Sequence, residues 1–126
     1  MKKNTTYIKL AAVLGALTVV IGAFGAHGLE PVLTRYDHLD TYETAVKYQF
    51  YHTLAILLIG VLMRTFQEEK YLKYSVLCFF TGIIIFSGSL YVLSLTNLSW
   101  LWAITPLGGL AFILGWIFLF IGVWKK

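Results

Sequence analysis

A chain of 126 residues that is 59% hydrophobic and 13% charged, with a mean hydropathy of +0.77, is too apolar for a soluble domain, in which about 25% of residues are charged. Its net charge of +4 does not call for nucleic acid, because the basic residues flank apolar runs, where anionic headgroups and membrane orientation account for them. Cys78 is the single cysteine, which excludes an internal disulfide.

Four apolar stretches are each long enough to cross a hydrocarbon core of about 30 Å, which takes roughly 20 helical residues. They run from about Tyr7 to Ala26, Ala45 to Thr65, Tyr74 to Leu95 and Leu101 to Trp124. No repeat, linker or low-complexity segment divides them, so residues 1–126 read as one all-α domain, an integral membrane four-helix bundle of up-down topology. Lys2, Lys3 and the apolar run behind them imitate a signal peptide, but three further spans follow and the first is expected to be retained.

Span one sorts by size. Ala11, Gly15, Thr18, Gly22 and Gly25 step 4-3-4-3 along one side, while Val13, Leu14, Leu17, Val20, Ile21 and Phe24 take the other. The small side lets a second backbone approach and the large side suits lipid, so this helix is expected to be the hub of the bundle. Gly28 is placed to end it in a left-handed cap, with Pro31 beyond to prevent continuation. Leu29, Val32, Leu33 and Tyr36 then recur at i, i+3, i+4 and i+7 beside Glu30, Arg35 and Asp37, the pattern of a short amphipathic helix in the headgroup layer. Asp40 and Glu43 have the spacing of a capping box, which starts the second long helix near Thr41.

Basic residues set the orientation. Lys2, Lys3, Lys9, Arg64, Lys70, Lys73, Lys125 and Lys126 fall on one side, and only Arg35 and Lys47 on the other. The positive-inside rule then places both termini in the cytoplasm of a multi-pass plasma (inner) membrane protein. Tyr7, Phe66, Tyr71, Tyr74 and Trp124 near the inner boundary, with Tyr48, Tyr51, Tyr91, Trp100 and Trp102 near the outer one, read as interfacial anchors. The short connection from Thr96 to Trp100 forces spans three and four to be adjacent and antiparallel.

Chain direction brings polar groups into one half of the membrane. His27 ends span one. Tyr48, Gln49 and His52 lie in the outer half of span two, Ser87, Ser89 and Tyr91 in that of span three, and Thr105 opens span four ahead of Pro106 and Gly108. At 1.5 Å per residue all sit within roughly 15 Å of the outer surface. Two readings stand side by side. In one, these groups are interhelical glue, each hydrogen bond contributing about 0.6 kcal/mol, with Gly15, Thr18, Gly22, Gly25, Gly108 and Gly115 allowing close packing. In the other, His27, Tyr48, Gln49, His52, Ser87, Ser89, Tyr91 and Thr105 line a ligand pocket, because an imidazole below the interface is expensive without a partner.

Such a pocket suits a lipid headgroup, a quinone ring or a partner helix. A redox carrier with haem on His27 and His52 is an alternative, as is an oligomeric pore lined by glycine faces. A zinc site would need three or four convergent ligands, and no cysteine or carboxylate joins the two histidines. Nucleophile elbows, phosphate loops and paired metal-binding histidines are missing, so a non-enzymatic binding or accessory protein is expected. No acidic residue lies within the apolar core of a span, which argues against a proton-coupled exporter driven by a buried carboxylate. The residues demand no cofactor and no metal. The expected partners are the lipid bilayer, a second copy or another membrane protein, and not nucleic acid.

Four motifs together point to a known family: Gly22-Ala-Phe-Gly-Ala-His-Gly28, Tyr48-Gln-Phe-Tyr-His-Thr-Leu54, Phe86-Ser-Gly-Ser-Leu-Tyr91, and Ile104-Thr-Pro-Leu-Gly-Gly109 with Gly115-Trp116. The chain resembles, over essentially its whole length, the small four-span membrane proteins of the YwdK and YgdD type, a family without settled biochemistry. The resemblance implies the four-helix architecture and a plasma-membrane location. It implies no activity.

Overall fold

The computed structural model describes residues 5–66 and 70–124, the side chain of Ala26 apart, and these are helical nearly throughout. In chain order come α1 (Thr6–His27), α2 (Glu30–Arg35), α3 (Leu39–Phe66), α4 (Lys70–Gly82), a π-helical turn (Ile83–Ser87), α5 (Gly88–Thr96), a 3-10 turn (Ser99–Ala103) and α6 (Thr105–Trp124). Four segments are long and apolar enough to cross a membrane: Thr6–Gly25, Leu39–Phe66, Lys70–Thr96 and Ser99–Trp124. Their outer surface is apolar to a degree that water would not tolerate, with Leu58 65% and Leu77 60% exposed. Lys9, Arg64, Lys70 and Lys73 gather at the end where the chain begins and α6 finishes, and Arg35 and Lys47 lie toward the α2 end. Lys2, Lys3, Lys125 and Lys126, on which the charge asymmetry also rests, lie outside the described residues.

The side-chain sorting of α1 holds in part: Ala11, Thr18 and Gly25 are buried and Val13, Leu17, Val20 and Phe24 are exposed, but Leu14, expected on the lipid side, is buried in the core and Ile21 is half-buried. Its role as hub does not hold. A straight seam of small residues is narrow and serves one neighbour, and α1 packs in the main on α3. The hub is α3, which meets α1 on one side and α4, the π-turn and α5 on the other, while α4 packs on α6. One core layer joins Ile56 and Ile59 of α3 to Leu72, Val76 and Phe79 of α4 and Phe112 of α6, and a smaller one at the α2 end joins Ala45, Leu90, Leu93 and Leu101.

Three local expectations are corrected. Gly28 is right-handed (φ −88°), and the left-handed residues are Asp37 and Asn97, so the chain passes from α1 almost directly into α2. Pro31 therefore does not stop a helix but opens one, in the first turn of α2, where a missing amide hydrogen costs little. Helix α3 begins at Leu39 rather than Thr41 and its second residue is Asp40, which removes Asp40 from the capping position. The amphipathic reading of α2 stands: Leu33 is fully buried, Leu29, Val32 and Tyr36 are half-buried, and Glu30 and Arg35 are exposed.

The third span is not a uniform helix. Gly88 N–H reaches back to the carbonyls of Ile83 and Ile85 across the π-turn, between Gly82 and Gly88. At that turn α6 comes closest: a Cβ on Gly108 would run into the Phe86 backbone nitrogen and Cα. Backbone contact of this kind is available to glycine alone.

Candidate functional site

His52 lies in the middle of α3 and is buried. Its Nδ1–H donates to the Tyr48 carbonyl at 2.8 Å, and its Nε2 accepts the indole N–H of Trp116 at 3.1 Å. A carbonyl can only accept and an indole N–H can only donate, so the ring is neutral with its proton on Nδ1. It stacks on Phe112, with centroids 3.7 Å apart and planes 8° from parallel, and Phe79 closes its edge at 5.2 Å. Tyr48 and Phe86 complete the aromatic cluster, 4.7 Å apart. A polar ring is thus held at the centre of three spans with both nitrogens engaged.

Nearer the α2 end the other polar side chains tie the helices pairwise. Tyr91 donates to Gln49 Oε1 at 2.5 Å, and its ring lies 5.3 Å from that of Tyr42, whose hydroxyl donates to the Ile21 carbonyl at 2.7 Å. Ser87, the last residue of the π-turn, donates to the Ala45 carbonyl at 2.8 Å. Ser89 and Thr105 share a hydroxyl bond of 2.6 Å between the third and fourth spans. On α1, Thr18 turns inward and bonds its own helix at the Leu14 carbonyl, 2.6 Å away.

The structure places Gln49 on Tyr91, Ser87 on the Ala45 carbonyl, Ser89 on Thr105, and His52 beside Tyr48 in the aromatic cluster, each where α3 or α6 meets a neighbouring span. It brings His27 to none of these contacts. His27 is exposed at the tip of α1, beyond Gly25, which faces the Tyr42 ring. His52 lies ten residues, about 15 Å, further along α3 than Tyr42. One iron cannot take axial ligands from histidines so separated, and Nε2 of His52 is already occupied by Trp116.

Sequence reasoning missed Trp116, Tyr42 and Ser75, the last donating to the Gly115 carbonyl at 2.6 Å between α4 and α6. Trp116 carried a usable signal: an indole N–H in mid-span must find an acceptor within the protein.

Three depressions lie along one side of the α1–α3 seam, and the residues lining them do not include the proposed pocket residues. At the α2 end a depression of about 330 Å³ is lined by Gly22, Gly25, Tyr42, Glu43 and Lys47. A second, about 360 Å³, shares Gly22, Val46 and Lys47 with it and reaches Phe50 and Tyr51. A third, also about 360 Å³, shares Val19 and Phe50 with the second and continues to Leu54 and Leu57. The shared walls make one apolar groove that follows α3 from Leu39 to Leu57, about 27 Å. Small residues of α1 form its floor because the seam is built from them.

Two features of this groove are polar. Thr53, on its wall, buries a hydroxyl that has no hydrogen-bond partner among the described residues. Lys47 is exposed and makes no ion pair there. Its neighbour Val46 faces Gly22, which is five residues, roughly 7.5 Å, inside the tip of α1. An ammonium at that depth in a span needs an anion or must snorkel to the surface.

The sequence pattern of a family described as "Protein of unknown function (DUF423)" matches residues 21–109, more than half of the chain. A UPF0382 membrane protein of Staphylococcus aureus is 46% identical over 123 residues, covering 94% of this chain and 98% of that one. The UPF0382 membrane protein YwdK of Bacillus subtilis is 41% identical over 119 residues, covering 94% and 96%. A UPF0382 membrane protein of Haemophilus influenzae is 38% identical over 120 residues, covering 95% and 94%. No solved structure matches.

Proposed function

The chain belongs to the DUF423 family of membrane proteins, and from that premise we propose that it is a non-enzymatic accessory protein of the plasma membrane that holds one glycerophospholipid. In this reading both termini are cytoplasmic, as the distribution of lysine and arginine favours, and α2 lies at the outer face. The hydrogen-bonded cluster around Gln49, His52, Ser87, Ser89, Tyr91 and Thr105 is the frame that fixes α3 against the third and fourth spans. The ligand's seat is the groove on the opposite side of α3.

The observation that carries this reading is Lys47 on the wall of that groove, exposed and without an acidic partner among the described residues, on a helix long and apolar enough to cross a membrane. A phosphodiester supplies the missing anion. The glycerol and one acyl chain then continue along Val46, Phe50, Leu54 and Leu57. Lipid-resolved native mass spectrometry of the detergent-purified protein tests it. One phospholipid per chain is expected on the wild type, and Lys47→Gln is expected to lower its retention about tenfold, the worth of one charge-assisted contact of about 1.4 kcal/mol. A wild type that carries no lipid, or a Lys47→Gln variant that carries as much, contradicts the reading.

A further inference from the structure

Lys47 is not the only unpaired charge on the groove. Glu43 is exposed on the same wall, one helical turn nearer the α2 end. The two stand four residues apart on α3, a spacing at which a glutamate and a lysine commonly bond to each other, yet they form no ion pair with each other or with another described residue. The groove therefore presents a cation at the deeper level and, about 6 Å further out, an anion. Among phospholipid headgroups this order of charges is that of a phosphate followed by an ammonium, and a carboxylate such as Glu43 favours an ammonium that carries N–H donors. A phosphoethanolamine places its phosphate at the glycerol and its primary ammonium further out.

Resting on the phospholipid reading above, we propose that the headgroup bound is a phosphoethanolamine, its phosphate on Lys47 and its ammonium donating hydrogen bonds to Glu43. The chemistry separates the competitors. A choline head has the same charges but no N–H to donate. A phosphoglycerol head sets a neutral diol before the Glu43 carboxylate. A phosphoserine head brings its own carboxylate beside that of Glu43. Each loses the charge-assisted bond that ethanolamine makes.

The test is competition in mixed micelles or nanodiscs holding equal amounts of ethanolamine, choline and glycerol phospholipids with identical acyl chains, read by native mass spectrometry of the full chain. The wild type is expected to retain the ethanolamine lipid about fivefold over the choline lipid, and Glu43→Gln to remove that preference while still retaining lipid. Glu30→Gln, an exposed acid of α2 that lies off the groove, is expected to leave it unchanged. Retention of all three lipids without preference in the wild type, or a preference that survives in Glu43→Gln, overturns the headgroup assignment and leaves the groove standing. Retention of no lipid of any class overturns the phospholipid reading itself.

Discussion

The indole of Trp116 donates to Nε2 of His52 across 3.1 Å, joining the middle of α6 to the middle of α3. With Nδ1–H held by the Tyr48 carbonyl, this bond fixes the imidazole as a neutral tautomer in a position where a charge would have to be desolvated. The pair links the hub helix to the span with which it otherwise shares little contact.

A double-mutant cycle measures that link. His52→Phe keeps a ring against Phe112 and removes both bonds; Trp116→Phe removes the donor alone. Unfolding in a detergent series is expected to give a coupling of about 0.6 kcal/mol, up to about 1.7 kcal/mol, between the two sites. Additive single effects would mean that the bond contributes nothing and that stacking holds His52 in place.

Gly108 and Gly109 are neighbours with opposite surroundings. A Cβ at Gly108 meets the Phe86 backbone, whereas one at Gly109 meets nothing within 4 Å. Gly108→Ala is expected to destabilise the bundle by about 1–3 kcal/mol, since a backbone cannot yield as a side chain can. Gly109→Ala is expected to be neutral or slightly stabilising. Thermal unfolding of the two variants side by side checks both signs.

How much of this was legible depended on range. The four spans follow from composition alone, because any run of about 20 apolar residues must become helical in lipid. The 4-3-4-3 stripe of α1 separated its packing side from its exposed side except at Leu14, which the core buries, and a stripe says nothing of how many partners it serves, so the hub was misplaced. The hub signal lay in α3 itself, whose buried positions include Tyr42, Gln49, His52, Thr53 and Ile56, spread over more than one face. The polar residues Gln49, His52, Ser87, Ser89, Tyr91 and Thr105 were found by depth. Their partners were not, since Ser87 and Tyr42 bond to backbone carbonyls, which every residue has. The π-turn had no mark beyond its two flanking glycines.

Thr53 tests whether the groove is dry. Its buried hydroxyl lacks a partner among the described residues, and an unsatisfied buried hydroxyl costs about 1–3 kcal/mol. Thr53→Val keeps the shape and removes the polar atom, so it is expected to be neutral or to stabilise by up to about 1 kcal/mol. A loss of more than about 1 kcal/mol would show that the hydroxyl has a partner in the membrane.

The seat of the acyl chain is open to direct mapping. A phospholipid carrying a photoactivated diazirine on one acyl chain, added to the protein in nanodiscs and cross-linked, reports which side chains that chain touches. Peptide mapping is expected to place saturable adducts on Val19, Phe50 and Leu54, competed away by unlabelled phospholipid. Adducts spread evenly over the outward faces, as frequent at Leu17, Leu58 and Val61 as along the seam and indifferent to competitor, would contradict a bound lipid in the α1–α3 groove.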